Sequence, residues 1–217
     1  MTVFQSAMDL ITKGGLIMIP ILLCSVIAVA IILERMVYFK KIKENPEALY
    51  KAVQETLRKK NNARALELCR ASKGPIGRIL EAGVLNQNAP KWQLEETLSM
   101  VGQEEMQHLE KHIKGLEVIA AISPLMGLLG TVIGMVQAFN QVAEFKGQVN
   151  PSLLAGGIWE ALLTTAAGLA VAIPVLVMMH YFDKNIERKG FAMERFAHYF
   201  VHSREESRSA AKTMVAS

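Results

Sequence analysis

Apolar residues in this chain collect in three long blocks instead of recurring at intervals along its length. Residues 14–33 and 118–143 carry no charged side chain, and residues 148–182 carry one, Glu160. Each block reaches or exceeds the roughly 20 residues that cross about 30 Å of hydrocarbon at 1.5 Å per residue. The pattern predicts an all-α integral membrane protein with three transmembrane helices, over 14–36, 116–143 and 152–182. Around them stand a short segment at 1–13, a cytoplasmic helical region at 37–115, a loop at 144–151 and a tail at 183–217. The first block has a small-x-small triplet, Ala28-Val29-Ala30, of the form that leader cleavage uses. It lies inside the apolar run and Ile31-Ile32-Leu33 follow it, so an uncleaved helix is expected. Pro20 is expected to kink this helix, and its large branched side chains suit lipid contact all round.

The polar stretches carry helix signals of their own. Asn45-Pro46 with Glu47 starts a helix running to about Lys60, and Asn61-Asn62 breaks it. A second helix covers 63–71 and ends at Lys73-Gly74-Pro75; a third covers 76–84, and 86–90 is a turn. From Trp92 onward, Leu94, Leu98, Val101, Met106, Leu109, Ile113 and Leu116 recur at helical spacing with no strong breaker. One helix from about Trp92 to Gln141, on the order of 75 Å long, is expected. The third span likewise continues through Asp183 toward Ile186, Phe191, Phe196 and Tyr199. The second and third spans thus extend into the cytoplasm as long helices. Residues 203–217 are polar and small, and a disordered end is expected.

Charge adds an orientation. Of 24 Lys and Arg, only Lys13 and Lys146 fall on the side of the N-terminus and the second loop. Arg35, Lys40, Lys41 and Lys43 crowd the end of the first span, and Lys184, Arg188 and Lys189 follow the third. Basic residues near span ends stay in the cytoplasm. The N-terminus and the loop at 144–151 are therefore expected in the periplasm, and the C-terminus in the cytoplasm. The net charge of +4 is mostly this topology signal, and no nucleic-acid partner is implied. Cys24 and Cys69 fall in different environments and predict no disulfide. No phosphate-binding glycine motif is present, so no cofactor site is signalled, and the chain is not read as an enzyme. His108/His112 and His198/His202 have zinc-compatible spacing but no third ligand, and are read as solvated helix faces, with no metal.

The chemistry concentrates in the last two spans. Ser123-Pro124-Leu125-Met126-Gly127-Leu128-Leu129-Gly130-Thr131-Val132-Ile133-Gly134 places Gly127, Gly130, Gly134 and Thr131 in the second span. Gly130-x-x-x-Gly134 lets helices approach closely. In the third span Gly156, Glu160, Thr164, Gly168 and Ala172 fall four apart, a narrow stripe that is small except for the carboxyl. Counting from the outer span ends, Thr131 and Thr165 both lie roughly 13 Å deep, with Glu160 about 7 Å above them. Hydroxyls and a carboxyl can hold water and pass protons where aliphatic walls cannot. Threonine in a membrane helix can also simply bond its own backbone, and Glu160 can tie two helices together. An intramembrane ionisable group marks an ion path or a paired partner by default. Pro124 and Pro174 are expected kinks.

These residues resemble the MotA/TolQ/ExbB proton-channel family. The resemblance rests on Ile122-Ser123-Pro124-Leu125-Met126-Gly127-Leu128-Leu129-Gly130-Thr131-Val132-Ile133-Gly134-Met135 and on Gly157-Ile158-Trp159-Glu160-Ala161-Leu162-Leu163-Thr164-Thr165-Ala166-Ala167-Gly168-Leu169, with Ala172-Ile173-Pro174 continuing the second. It covers residues 111–181 closely and the rest loosely. The three-span plan is similar to the ExbB and TolQ branches, ExbB first, and not to four-span MotA-type stators. The resemblance implies a homopentamer in a bacterial inner membrane. Its pore would hold the single spans of a small ExbD- or TolR-like partner, with TonB or TolA as the protein energised. It further implies that Thr131, Glu160 and Thr165 line the proton path, and Thr164, on the stripe of Glu160, is expected to line it with them. Trp159, bulky beside the carboxyl, departs from the small residues around it.

Overall fold

The computed structural model describes residues 15–144 and 151–216. All of the regular structure among them is helical: α1 (Met18–Lys41), α2 (Pro46–Arg58), α3 (Asn62–Ala71), α4 (Pro75–Leu85), α5 (Lys91–Glu110), α6 (Ile113–Glu144) and α7 (Pro151–Ala216). Three of these, α1, α6 and the first part of α7, are long and apolar enough to cross a membrane. The expected segment at 1–13 and most of the loop at 144–151 lie outside the described residues. The chain divides into two compact units. One holds the described residues up to Glu34 together with 112–181; the other holds 35–111 and 182–217.

In the first unit, α1 starts late. Pro20 sits in its first turn, where the amide that proline lacks would have no helical partner anyway. The expected kink therefore becomes a helix start. Lipid contact all round also fails for this helix. Met18, Ile21 and Ala28 are each 1% exposed, and a Cβ on Gly115 would lie 3.4 Å from Ile31 Cδ1. Leu16, Leu23, Val26 and Leu33 carry the exposed side.

The single helix expected from Trp92 to Gln141 is two helices. α5 ends with the Lys111 amide donating to Gln107 O (3.0 Å); His112 then adopts φ +70°, and α6 begins at Ile113. Left-handed backbone ends helices, and histidine is among the non-glycine residues enriched there. His112 Nδ1 lies 3.3 Å from Glu34 Oε2, so a tertiary contact accompanies the turn. Among the described residues no group of three metal-ligating side chains occurs around this or any other histidine.

In the second unit, α2, α3 and α4 start and stop within two residues of where the sequence signals them. Asn45 and Asn61 cap α2 and α3, their side chains accepting from the Ala48 and Arg64 amides. Gly74 gives α4 no side-chain cap. Glu44 supplies one from outside, its carboxylate accepting from the Ile76 amide (3.0 Å) and from the Ser72 hydroxyl. The core joins Val53, Cys69, Ile79, Leu80 and Leu98 to Phe182, Met193, Phe196 and Phe200 of α7. Phe39 stacks on Phe182 with centroids 5.6 Å apart. Burial pushes the Cys69 thiol up to about 12, with the nearby Glu81 charge adding to it. Burial also holds Lys189 below the usual lysine range, partly offset by Glu44, while its ammonium donates to Ile42 O (3.2 Å). The expected disordered end is helical through Ala216. No glycine or proline interrupts 203–216, and adding residues to an existing helix is far easier than nucleating one.

Candidate functional site

α6 and α7 meet along a seam lined by small side chains and glycines. From Ser123 onward the buried positions on α6 are Ser123, Gly127, Gly130, Gly134 and Ala138; on α7 they include Ala161, Thr164, Gly168 and Ala172. A Cβ at Gly127 would stand 2.9 Å from Thr165 Cα, and one at Gly168 would stand 2.5 Å from Ser123 O and 3.2 Å from Gly127 Cα. At Gly134 it would meet the Ala161 Cβ at 3.0 Å, and at Gly130 it would overlap the Thr164 side chain. Backbone thus runs against backbone, the close approach that small residues permit in membranes. The pairs are antiparallel: Gly127 faces Thr164 and Thr165, Gly134 faces Ala161, and Ala138 faces Gly157.

The hydroxyls of Ser123, Thr164 and Thr165 lie on this seam, and that of Thr131 lies beside it. Thr165 Oγ1 donates across it to Gly127 O (2.9 Å). Thr164, 2% exposed, donates to Ala161 O of its own helix (2.7 Å), with Gly127 O 3.5 Å away. Thr131, half-buried, donates back to Leu128 O (2.6 Å). Ser123, fully buried, donates to Ile119 O (2.7 Å) immediately before Pro124. Pro124 and Pro174 both lie inside continuous helices. The pairing of Gly130 with Thr164 and of Gly134 with Ala161 puts Thr131 within about one turn of Thr165 along the seam.

Glu160 is half-buried, one turn before Thr164 on α7. Its carboxylate lies against Gly15, ahead of α1, so closely that a Cβ on that glycine would overlap Oε1. Trp159 beside it is 65% exposed. The residues expected to form a stripe four apart separate at one end: a Cβ on Gly156 would meet nothing within 4 Å. Gly157 takes its place against Ala138. A helix turns 100° per residue, so a strict spacing of four drifts round the axis, and the packed stripe 157-161-164-168-172 corrects it with one step of three. Gly157, Ser123, Ala138 and Gly15 are the site residues that pattern reading passes over. The mixed three-four spacing on α7 is the signal that finds Gly157.

A hairpin of close-packed apolar helices, with hydroxyls on its seam and a single carboxyl beside them, defines a multi-pass membrane protein with ionisable chemistry in its spans. The chain belongs to the MotA/TolQ/ExbB proton channel family, whose pattern matches residues 71–195. It is 33% identical over 176 residues to the biopolymer transport protein exbB1 of Vibrio cholerae, covering 79% of this chain and 77% of that one. It is 45% identical over 71 residues to ExbB of Salmonella typhimurium, covering 33% of this chain and 29% of that one. To the Tol-Pal system protein TolQ of Haemophilus influenzae it is 35% identical over 96 residues, 43% and 42% of the two chains. Proteins of this family are channel and transport components, not enzymes.

Proposed function

We propose that this protein is the channel-forming subunit of a proton-driven motor. Together with a small single-span partner of ExbD type, it converts proton motive force into mechanical work for TonB-dependent transport at the outer membrane. The carrying observation is Glu160: a lone, half-buried carboxyl on an uncharged stretch of α7, one turn from two hydroxyls. Ionisable groups within spans face the protein interior or a water-filled path, because lipid contact is costly. Glu160, Thr131, Thr164 and Thr165 form the proton path in this reading, and Gly127, Gly130, Gly134 and Gly168 hold its two helices together. One charge moved through 100 mV releases about 2.3 kcal/mol, enough to drive a conformational step. Five copies surround the partner's spans, with the N-terminus in the periplasm and the C-terminus in the cytoplasm of a bacterial inner membrane, as the basic residues near the span ends suggest.

A TolQ-like role in the Tol-Pal envelope system is the second reading, and the match to TolQ is the observation that favours it. Native mass spectrometry of the complex extracted from its own membranes tests both. Five copies with two of a small single-span protein support the motor, and the identity of that protein separates the two roles. Glu160→Gln should abolish proton-driven work with the assembly intact. If work survives in that variant, or is lost only when assembly is lost, the protein is a scaffold for its partner and not a channel.

A further inference from the structure

The first span enters the bundle through a residue that Glu160 leaves no room to change. Gly15 has φ +67°, a left-handed conformation, and its carbonyl accepts from the Met18 amide (3.2 Å) as α1 begins. An added Cβ would overlap Glu160 Oε1 and stand 3.5 Å from Cδ. The segment is not free to retreat. Met18 and Ile21, the first inward-facing residues of α1, are each 1% exposed, and Pro20 stiffens the turn between them. Two separate demands therefore fall on one position. The backbone needs a residue that tolerates positive φ, and the carboxylate needs a surface with no side chain.

We propose that Gly15 is a positioning residue for Glu160, forming the floor on which the carboxyl sits and so fixing its place along the hairpin. The seat stands on geometry alone; its importance for proton transfer rests on the function proposed above. A methyl group at Gly15 displaces the carboxyl from this place. The shorter aspartate side chain at residue 160 makes room for that methyl group again.

The test uses the full chain in its native membranes with its own partners. Glu160 modification by dicyclohexylcarbodiimide, read by peptide mass spectrometry, reports the carboxyl directly. Gly15→Ala should change the modification rate by about tenfold, the scale on which a strained or displaced side chain shifts a population. Thermal midpoints of the extracted complex are then compared for Gly15→Ala, Glu160→Ala and the double variant. If the methyl group meets the carboxyl, Gly15→Ala costs less in the Glu160→Ala background. If positive φ were the whole requirement, the costs would add and the modification rate would not move, and the proposal would be overturned. Where Gly15→Ala fails to accumulate, recovery of the protein by Glu160→Asp supports the seat, and no recovery overturns it. Should Glu160→Ala leave proton-driven work intact, the channel reading falls, while the modification rate and the thermal comparison still decide the role of Gly15.

Discussion

At the scale of single residues, the telling contact is a side chain on a backbone atom. Thr165 reaches across the seam to the Gly127 carbonyl, whereas Thr131 satisfies its hydroxyl within its own helix. Thr165→Val keeps the shape and removes the bond, so it should lower stability by about 0.6–1 kcal/mol. Thr131→Val should cost less, and chemical unfolding of the two variants in detergent checks the order. The sequence makes both hydroxyls visible and even puts them at similar depth. It cannot show that one bonds across and the other back, because the acceptor is a main-chain oxygen that every residue possesses. Glu105 offers a test by pH in the other unit. Burial raises its carboxyl above the ordinary 4.5, against the lowering effect of Arg78 3.9 Å away. A raised native value favours folding below the ordinary one, and that contribution is lost as pH rises through the raised value. Glu105→Gln should therefore be more thermostable than the parent at neutral pH and lose the advantage below about pH 4.5.

At the scale of helices, the glycines divide into those that pack and those that do not. Gly168→Ala sets a methyl group against Ser123 O and the Gly127 backbone, where nothing can yield by a rotamer change. It should separate α6 from α7 at a cost of about 1–3 kcal/mol, with loss of assembled protein. Gly156→Ala meets open space and should be tolerated in the same accumulation assay. Sequence pattern assigns both glycines to one face, since a spacing of four looks helical over one turn and betrays its drift only over three. The break at His112 was equally hidden. Residues 106–116 keep helical spacing straight through it, and a lone histidine at positive φ leaves no mark in an apolar pattern. The helix starts after Asn45 and Asn61 were legible to within a residue, although the Asn61-Asn62 pair reads as a break and Asn61 is in fact a cap.

At the scale of the whole molecule, block hydropathy makes the three spans readable, because lipid imposes a length that globular cores do not. Which side each end faces rests on the basic residues. A periplasm-active reporter inserted at 144–151 should be active, and the same reporter inserted at 86–90 silent. Reversal of that result would overturn the orientation. The two polar segments form one unit with a shared packed core, Val53, Ile79, Phe196 and Phe200 among it, so that unit is expected to stay ordered when the spans are perturbed. Proteolysis of Gly168→Ala membranes should accordingly leave a protected fragment containing residues of α2–α5.

The Gly127 carbonyl accepts more than one hydrogen bond. Thr165 Oγ1 donates to it at 2.9 Å, and the helical ladder of α6 brings the Thr131 amide to the same oxygen. A doubly bonded carbonyl vibrates at lower frequency than one with a single donor, which makes this atom a built-in spectroscopic reporter for the hairpin. Isotope-edited infrared spectra of Gly127 should show its amide band move upward in Thr165→Val. A similar shift in the unmodified protein under a proton gradient would mark the moment when the Thr165 hydroxyl leaves the seam.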